Sequence, residues 1–347
     1  MEKYILSIDA GTSSSRALII DKKGNIQGIS QFEFPQIFPK EGWVEHNPND
    51  IWETQLKAIK EVLKKTKNSP ENIHSIGITN QRETTVIWNK KTGEPVYNAI
   101  VWQDRRTAEI CNDLKKQNLE SLFQSKTGLL LDPYFSGTKI KWIFDNNPLL
   151  YKLAENNQLA FGTIDSWLIW KLTNGKRHVT DFTNASRTLI FNIKELKWDS
   201  ELIDIIGIPN NILPKVVSCA ELIGYTEKNI LGAEIPITGV AGDQQASLFG
   251  QMCIEEGDIK NTYGTGCFCM MNTGEKIVNS KNRLLSTIAY QLNNKTFYAI
   301  EGSIFTAGSL VQWLRDQLEI ISNASEIESL ASTVKDNGGI TFIPALS

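Results

Sequence analysis

The chain has 347 residues, 41% of them hydrophobic and 22% charged, which excludes intrinsic disorder and collagen-like repeats and suffices for two packed domains of about 150 residues each. With 36 basic against 39 acidic residues the net charge is −3, too balanced for a chain whose main partner is nucleic acid. Five cysteines without zinc-like spacing, beside only three histidines, fit a reduced, cytoplasmic protein.

No apolar run reaches the roughly 18 residues of a membrane span. The run before Asp9 is too short for a signal peptide, so the mature protein is expected to begin at or beside Met1. The pattern opens as a hairpin, with a strand over residues 4–8, a glycine-containing turn over 9–15, and strands over 16–21 and 26–34. Apolar spacing over 51–65, after Pro48, predicts a helix packed on that sheet. Strands follow over 73–80 and 84–88. Three strands, a helix and a strand point to a mixed sheet with helical cover, not to a purely parallel dinucleotide-binding fold.

Residues 105–213 read as helical and irregular, with helices over 105–116, 137–146 and 163–172. Residues 236–252 read as strand, tight turn and helix start, and 259–274 as strand–turn–strand. Strands over 284–291 and 296–301 precede a helix over 303–318. The expected domains are 1–254 and 255–347.

Three segments could carry chemistry. In DAGTSSSR (9–16), Gly11 can free backbone amides toward anionic oxygens, and Asp9 could hold magnesium directly or through its waters. The same residues also suit an ordinary capped hairpin, and the Walker spacing is absent. In NQRETT (80–85), Arg82 and Glu83 offer donors and an acceptor together, as a polyhydroxy ligand requires. Neighbouring side chains diverge in an extended segment, so a surface salt bridge is the other reading. In AGDQQA (241–246), Asp243 begins a helix whose dipole favours the ionised carboxylate. It could take a hydroxyl proton during phosphoryl transfer, or simply cap the helix.

Trp102, Tyr134 and Phe268 could line a pocket or fill a core. The turn at Tyr263-Gly-Thr-Gly echoes Asp9-Ala-Gly-Thr; two such hairpins could surround a polyphosphate or be two plain turns. There is no GxSxG motif, and one residue between Cys267 and Cys269 does not make a redox CxxC.

Together with GWVEHNP (42–48), NAIVWQDRRT (98–107), DPYFSGTK (132–139), TNASRT (183–188) and NTYGTGCF (261–268), these segments resemble the glycerol kinases of the FGGY family of carbohydrate kinases. The resemblance covers essentially the whole chain. It implies an α/β, actin- and hexokinase-like (ribonuclease H-like) ATPase fold of mixed sheets with helices, the first domain complete and the second partial. It also implies phosphorylation of glycerol to sn-glycerol 3-phosphate, with ATP as co-substrate and Mg2+ as the metal, and a homodimer or homotetramer in full-length relatives.

By the same resemblance Asp243 is the catalytic base. Arg82, Glu83, Tyr134, Asp243 and Gln244 make the polar glycerol contacts, and Trp102 and Phe268 pack on its carbons. Asp9 is the carboxylate associated with magnesium. Thr12, Ser13, Ser14 and Arg16 belong to the first phosphate hairpin, Thr265 and Gly266 to the second, and Gly308 and Gln312 touch the nucleotide. The alternatives are a related polyol or sugar kinase, or a catalytically impaired remnant.

Three departures bear on this. Ala10 stands where many relatives carry glutamine. Residues 226–235 lack the arginine-bearing, glycine-rich loop of bisphosphate-inhibited members, and no histidine follows His178 to accept a regulatory phosphoryl group. Relatives continue beyond FIPALS through an adenine-binding region, so a truncated second domain and weak turnover by this chain alone are expected.

Overall fold

In the computed structural model, which describes residues 3–264 and 266–343, the first strand shows why the chain starts as a sheet. Along β1 (Tyr4–Ala10), Leu6, Ile8 and Ala10 are buried while Ser7 and Asp9 are only half-buried, the period of two that a pleated strand imposes. β2 (Ser14–Ile20) returns antiparallel to β1, and β3 (Ile26–Glu33) pairs antiparallel with β2. The turn is tighter than the expected 9–15. Asp9 pairs with Arg16 and Ala10 with Ser15, so ladder hydrogen bonds claim both flanks and Asp9 is a strand residue.

α1 (Pro48–Lys65) starts before the expected residue 51. The Asn47 side chain accepts from the Asn49 amide at 3.0 Å, and Pro48 supplies the first helical position. Its Ile51, Ala58, Ile59 and Val62 bury against the sheet. β4 (Ile73–Asn80) then lies parallel to β1. The strand expected over 84–88 forms at Val86–Asn89 and pairs with Leu159–Gly162 outside the main sheet.

α2 (Ser136–Asn146) packs in a second core with Phe123, Phe135 and Phe161. The helix expected over 105–116 begins only at Ala108. α3 (Ile164–Leu172) buries Trp167, Leu168 and Leu172 on the sheet. β5 (Ala220–Tyr225) and β6 (Pro236–Gly242) complete a six-stranded mixed sheet in the order β5-β6-β4-β1-β2-β3, with β6 parallel to β4.

α4 (Asp243–Gly250) leaves β6 without an intervening turn and leads toward a second sheet. That sheet is wholly antiparallel: β7 (Ile259–Tyr263), β8 (Cys267–Gly274), β9 (Leu285–Leu292) and β10 (Lys295–Ile304), in the order β7-β8-β10-β9. Leu248 of α4 packs with Met270, Ala289 and Ala299 of the second sheet. The first lobe reaches it elsewhere too, through Ser286 N to Gly128 O at 2.9 Å and Tyr298 OH to Ile193 O at 2.9 Å. α5 (Gly308–Asp316) is shorter than the expected 303–318. Ser303 and Ile304 are held in β10 by pairing with Phe268 and Cys267, so strand bonds win over the helical pattern there. Among the described residues no helix is long and apolar enough to cross a membrane.

Candidate active site

Three neighbouring strands, β1, β4 and β6, run parallel, and Ala10, Asn80 and Gly242 stand level across them. The chain leaving these carboxyl ends carries the first hairpin, the Arg82-Glu83 pair and Asp243. Ligands of open α/β sheets bind in this position.

Arg82 and Glu83 do not diverge as an extended segment would require. Glu83 has φ +60°, an uncommon backbone state for a residue with a side chain. It turns the carboxylate back beside its neighbour, with Arg82 Nε 3.6 Å from Glu83 Oε1. Gly242 makes room as well: a Cβ there would stand 2.7 Å from Arg82 Cγ. Both side chains are buried, which rules out the surface salt bridge.

The Arg82 guanidinium donates four hydrogen bonds through its two Nη atoms. Nη1 reaches Glu301 Oε2 at 2.6 Å and Gln245 Oε1 at 3.1 Å, and Nη2 reaches Glu301 Oε1 at 3.0 Å and Tyr134 OH at 3.1 Å. Nε lies 3.3 Å from Asp243 Oδ1. Glu83 in turn accepts from Arg187 Nε at 2.6 Å. Burial raises the Glu83 carboxyl above the ordinary carboxylate range, although Arg82 and Arg187 oppose it. Burial also pushes Glu301 up, but Arg187 and Arg82 prevail and hold it at about 2.

Asp243 is the first residue of α4, and Gly242, not Asp243, occupies the cap position. Its Oδ1 accepts from the Gln244 amide at 2.8 Å, and 39% of its side chain remains exposed to the cleft. The helix start would favour ionisation, yet loss of water around the carboxyl raises its pKa, against the pull of Arg82. Desolvation therefore outweighs the pull of Arg82 and of the Gln244 hydrogen bonds.

Arg82, Glu83, Trp102, Tyr134, Asp243, Gln244 and Phe268 all line one cavity of about 140 Å³. Thr12, Thr262, Gly264 and Gly266 close it on the hairpin side. The space is that of a small ligand, well below the roughly 300–1,000 Å³ of drug-sized pockets. Trp102 meets Tyr134 and Phe268 edge-on, with centroids 5.8 and 5.9 Å apart, giving an apolar wall opposite the charged one.

The first hairpin is fixed from behind. Gln81 Nε2 donates to Gly11 O at 3.0 Å, Gln36 Nε2 to Thr12 O at 3.2 Å, and His46 Nε2 bonds Gln36 Oε1 at 2.7 Å. Burial lowers His46 to about 3. Trp102 Nε1 donates to Thr12 Oγ1 at 2.9 Å. Ser13 is exposed, Ser14 Oγ accepts from Gln31 at 2.8 Å, and Arg16 lies 3.5 Å from Asp9. Burial raises Asp9 while Arg16 opposes it. Among the described residues no group of three or more His, Cys, Asp or Glu could hold a metal. A magnesium ion needs no such group, since it is ordinarily held by one or two carboxylates, waters and substrate phosphates; Asp9, at a strand end beside the hairpin, fits that description.

In the second hairpin Gly264 N donates to Gly266 O at 2.9 Å, and Gly308 N to Gly264 O at 2.9 Å. Thr265 lies outside the described residues. Gln312 is exposed on α5, and neither it nor Gly308 lines the cavity. Arg187, Gln245, Lys260 and Glu301 also reach the site, without a signal in the sequence that assigns them a role. Lys260 donates to Gln244 Oε1 and, at 2.6 Å, to Thr262 Oγ1; burial lowers it to about 8. Gln245 and Arg187 lie inside AGDQQA and TNASRT, and Glu301 is the one acid in its strand, outside any motif.

Two family models match the chain almost end to end. The N-terminal domain of the FGGY family of carbohydrate kinases matches residues 4–250, and its C-terminal domain matches 259–347. The chain belongs to the FGGY family of carbohydrate kinases. This FGGY kinase is 57% identical to glycerol kinase 2 of Thermotoga maritima and 58% identical to glycerol kinase of Petrotoga mobilis. Each match covers 99% of the chain and 69% of the relative. Among solved structures, Plasmodium falciparum glycerol kinase with ADP superposes with a TM-score of 0.90 at 39% identity, over 99% of this chain and 69% of that one. Gluconate kinase from Lactobacillus acidophilus, at 24% identity and a TM-score of 0.84, shares the fold. The fold is thus the mixed α/β, actin- and hexokinase-like one.

Proposed function

We propose that this FGGY kinase transfers the γ-phosphoryl group of ATP to a terminal hydroxyl of glycerol. The observation that carries the reading is the cavity of about 140 Å³, in which Arg82, Glu83 and Asp243 face the rings of Trp102 and Phe268. A three-carbon triol needs that combination, because discrimination against water takes both apolar contact and fixed hydrogen bonds. Relatives more than half identical along almost the whole chain are glycerol kinases, which supports the same acceptor here.

In this reading Asp243, the more solvent-accessible of the two carboxylates lining the cavity, takes the hydroxyl proton as the oxygen–phosphorus bond forms. The bond from the γ-phosphorus to the bridging oxygen breaks, and ADP leaves. Glu83 and Tyr134 orient the hydroxyls, Gln244 adds a polar contact, and the two aromatic rings pack on the carbons. Thr12, Ser13, Ser14 and Arg16, with Thr265 and Gly266, form the two phosphate hairpins, and Gly308 and Gln312 flank the nucleotide. Magnesium, held at Asp9, would neutralise phosphate charge as the reaction proceeds.

We also take 1–254 and 255–347 as the two domains, which the separate sheets on either side of that division support. A cytoplasmic setting is supported by the five free cysteines. Assembly as a homodimer or homotetramer remains part of the proposal. The test is calorimetric titration with glycerol, erythritol, xylulose and gluconate, alongside glycerol-dependent ADP release. Saturable binding confined to glycerol is expected; a preference for a pentulose or gluconate, or no polyol binding at all, overturns the reading.

A further inference from the structure

Two arginines and two glutamates close a ring behind the acceptor cavity. Glu301 bonds Arg82 through both oxygens, at 2.6 and 3.0 Å, and its Oε1 also accepts from Arg187 Nη2 at 2.9 Å. Arg187 Nε donates to Glu83 Oε1 at 2.6 Å, and Glu83 returns to within 3.6 Å of Arg82. Charges alternate around the ring and sum to zero, and no member exposes more than 1% of its side chain. Arg187 Nη1 has no hydrogen-bond partner; its polar contacts are these two carboxylates, and its guanidinium lies over the Tyr134 and Phe135 rings.

Glu301 alone comes from the second sheet. On β10 it stands opposite Met270 of β8, while Ser303, two residues on, stands opposite Phe268. One ladder thus sets Phe268 in the cavity wall and Glu301 on the guanidinium. Four hydrogen bonds run from the two Nη atoms of Arg82 to protein acceptors, and Glu301 is its one two-point partner. A bidentate carboxylate fixes both the plane and the depth of a guanidinium, which a single bond does not. With Nη1 and Nη2 pinned, Nε lies between the Asp243 and Glu83 carboxylates, 3.3 and 3.6 Å away.

We propose that Glu301 is a positioning residue of the acceptor site: from the second sheet it fixes the Arg82 fork, and through Arg187 the Glu83 carboxylate, in the orientation that receives a small polyol. This rests on the glycerol-binding reading above. The site is accordingly built from both lobes, although its polar contacts belong to the first.

Glu301→Gln keeps the size and removes the charge. It should weaken glycerol binding at least tenfold in calorimetry on protein whose circular dichroism is native, and raise the KM for glycerol with the KM for ATP within twofold. A placement error of this kind acts on the oriented contact, not on the nucleotide. Glu45→Gln is the control: Glu45 is as buried and bonds Arg106, Tyr97 and Asn98 outside this ring. It should lower the melting temperature and leave glycerol affinity unchanged. If E301Q does not fold, Arg187→Lys carries the test, since it keeps a cation but loses the fork that joins Glu83 to Glu301; glycerol should bind at least threefold more weakly. Unchanged glycerol affinity in folded E301Q, or in R187K where E301Q does not fold, overturns the positioning role and leaves glycerol binding standing. Failure of the unsubstituted chain to bind glycerol overturns that reading and this proposal together.

Discussion

At position 243 two influences act on one carboxyl. Burial raises its pKa while Arg82, 3.3 Å away, lowers it, and burial wins. A raised pKa makes a better proton acceptor once ionised, and it moves the acid limb of activity above the ordinary carboxylate value. Turnover by the proposed base should therefore fall as the pH drops through that raised value. Asp243→Asn removes proton acceptance and keeps the shape. Glycerol-dependent ADP release should drop by about 10²–10⁴-fold while calorimetric glycerol affinity stays largely intact; near-normal turnover in D243N would remove Asp243 from this role. Residue types and motif order made Asp243 legible as a candidate in the sequence. Glu301 was not, because a ring of charges drawn from segments more than a hundred residues apart leaves no local pattern.

The elements most readable in the sequence were those with strong periodicity and a local cap. β4 lies where its alternation predicts it, and α1 gains only the residues that Asn47 and Pro48 add. Misplaced ends came from tertiary pairing: β10 extends into the expected helix because β8 holds it, and the hairpin flanks are zipped by β1 and β2. Burial of polar residues was equally hidden. Asp165, in the first turn of α3, is wholly buried, accepts from Thr163 and from Thr180 at 2.7 Å, and lies near Asp181. Burial, then the Asp181 charge, pushes it up from 3.8 to about 7. Between those two values the native state holds the extra proton, so this residue's contribution to stability is full below about 3.8 and declines as pH rises to about 7. His46 and His178, lowered by burial to about 3 and 4, act in the opposite sense below 6.5. The readable quantity is therefore the difference between two chains. Asp165→Asn should become progressively more stable relative to the parent as pH rises from 5 to 7.5, by on the order of 1 kcal/mol or more. Parallel urea denaturation curves with a pH-independent gap would show Asp165 to be ionised in the fold.

Across the whole molecule each sheet ends, among the described residues, in strands paired on one side only, β3 and β5 in the first sheet and β7 and β9 in the second. In the second, β7 pairs with β8 alone among the described residues, leaving a row of backbone donors and acceptors on its other side. Side chains do not protect that edge. Ile259 is 59% exposed and Tyr263 81%, and Ile304 on β10 is also exposed. α5 buries none of its residues, and Ile340, Phe342 and Ile343 are exposed beyond it. An apolar edge strand with open hydrogen-bonding groups is a template for pairing with another chain, and natural edges are commonly blunted with lysine. The chain should therefore self-associate reversibly in the micromolar range where such surfaces pair, with light scattering that rises with concentration. Ile259→Lys places a charge on that edge without disturbing the core, because Ile259 is already exposed and its backbone bonds to Met271 remain available. It should lower scattering and leave the melting temperature unchanged. Monodisperse parent protein across that range, or equal scattering from I259K, would show that the β7 edge does not drive association.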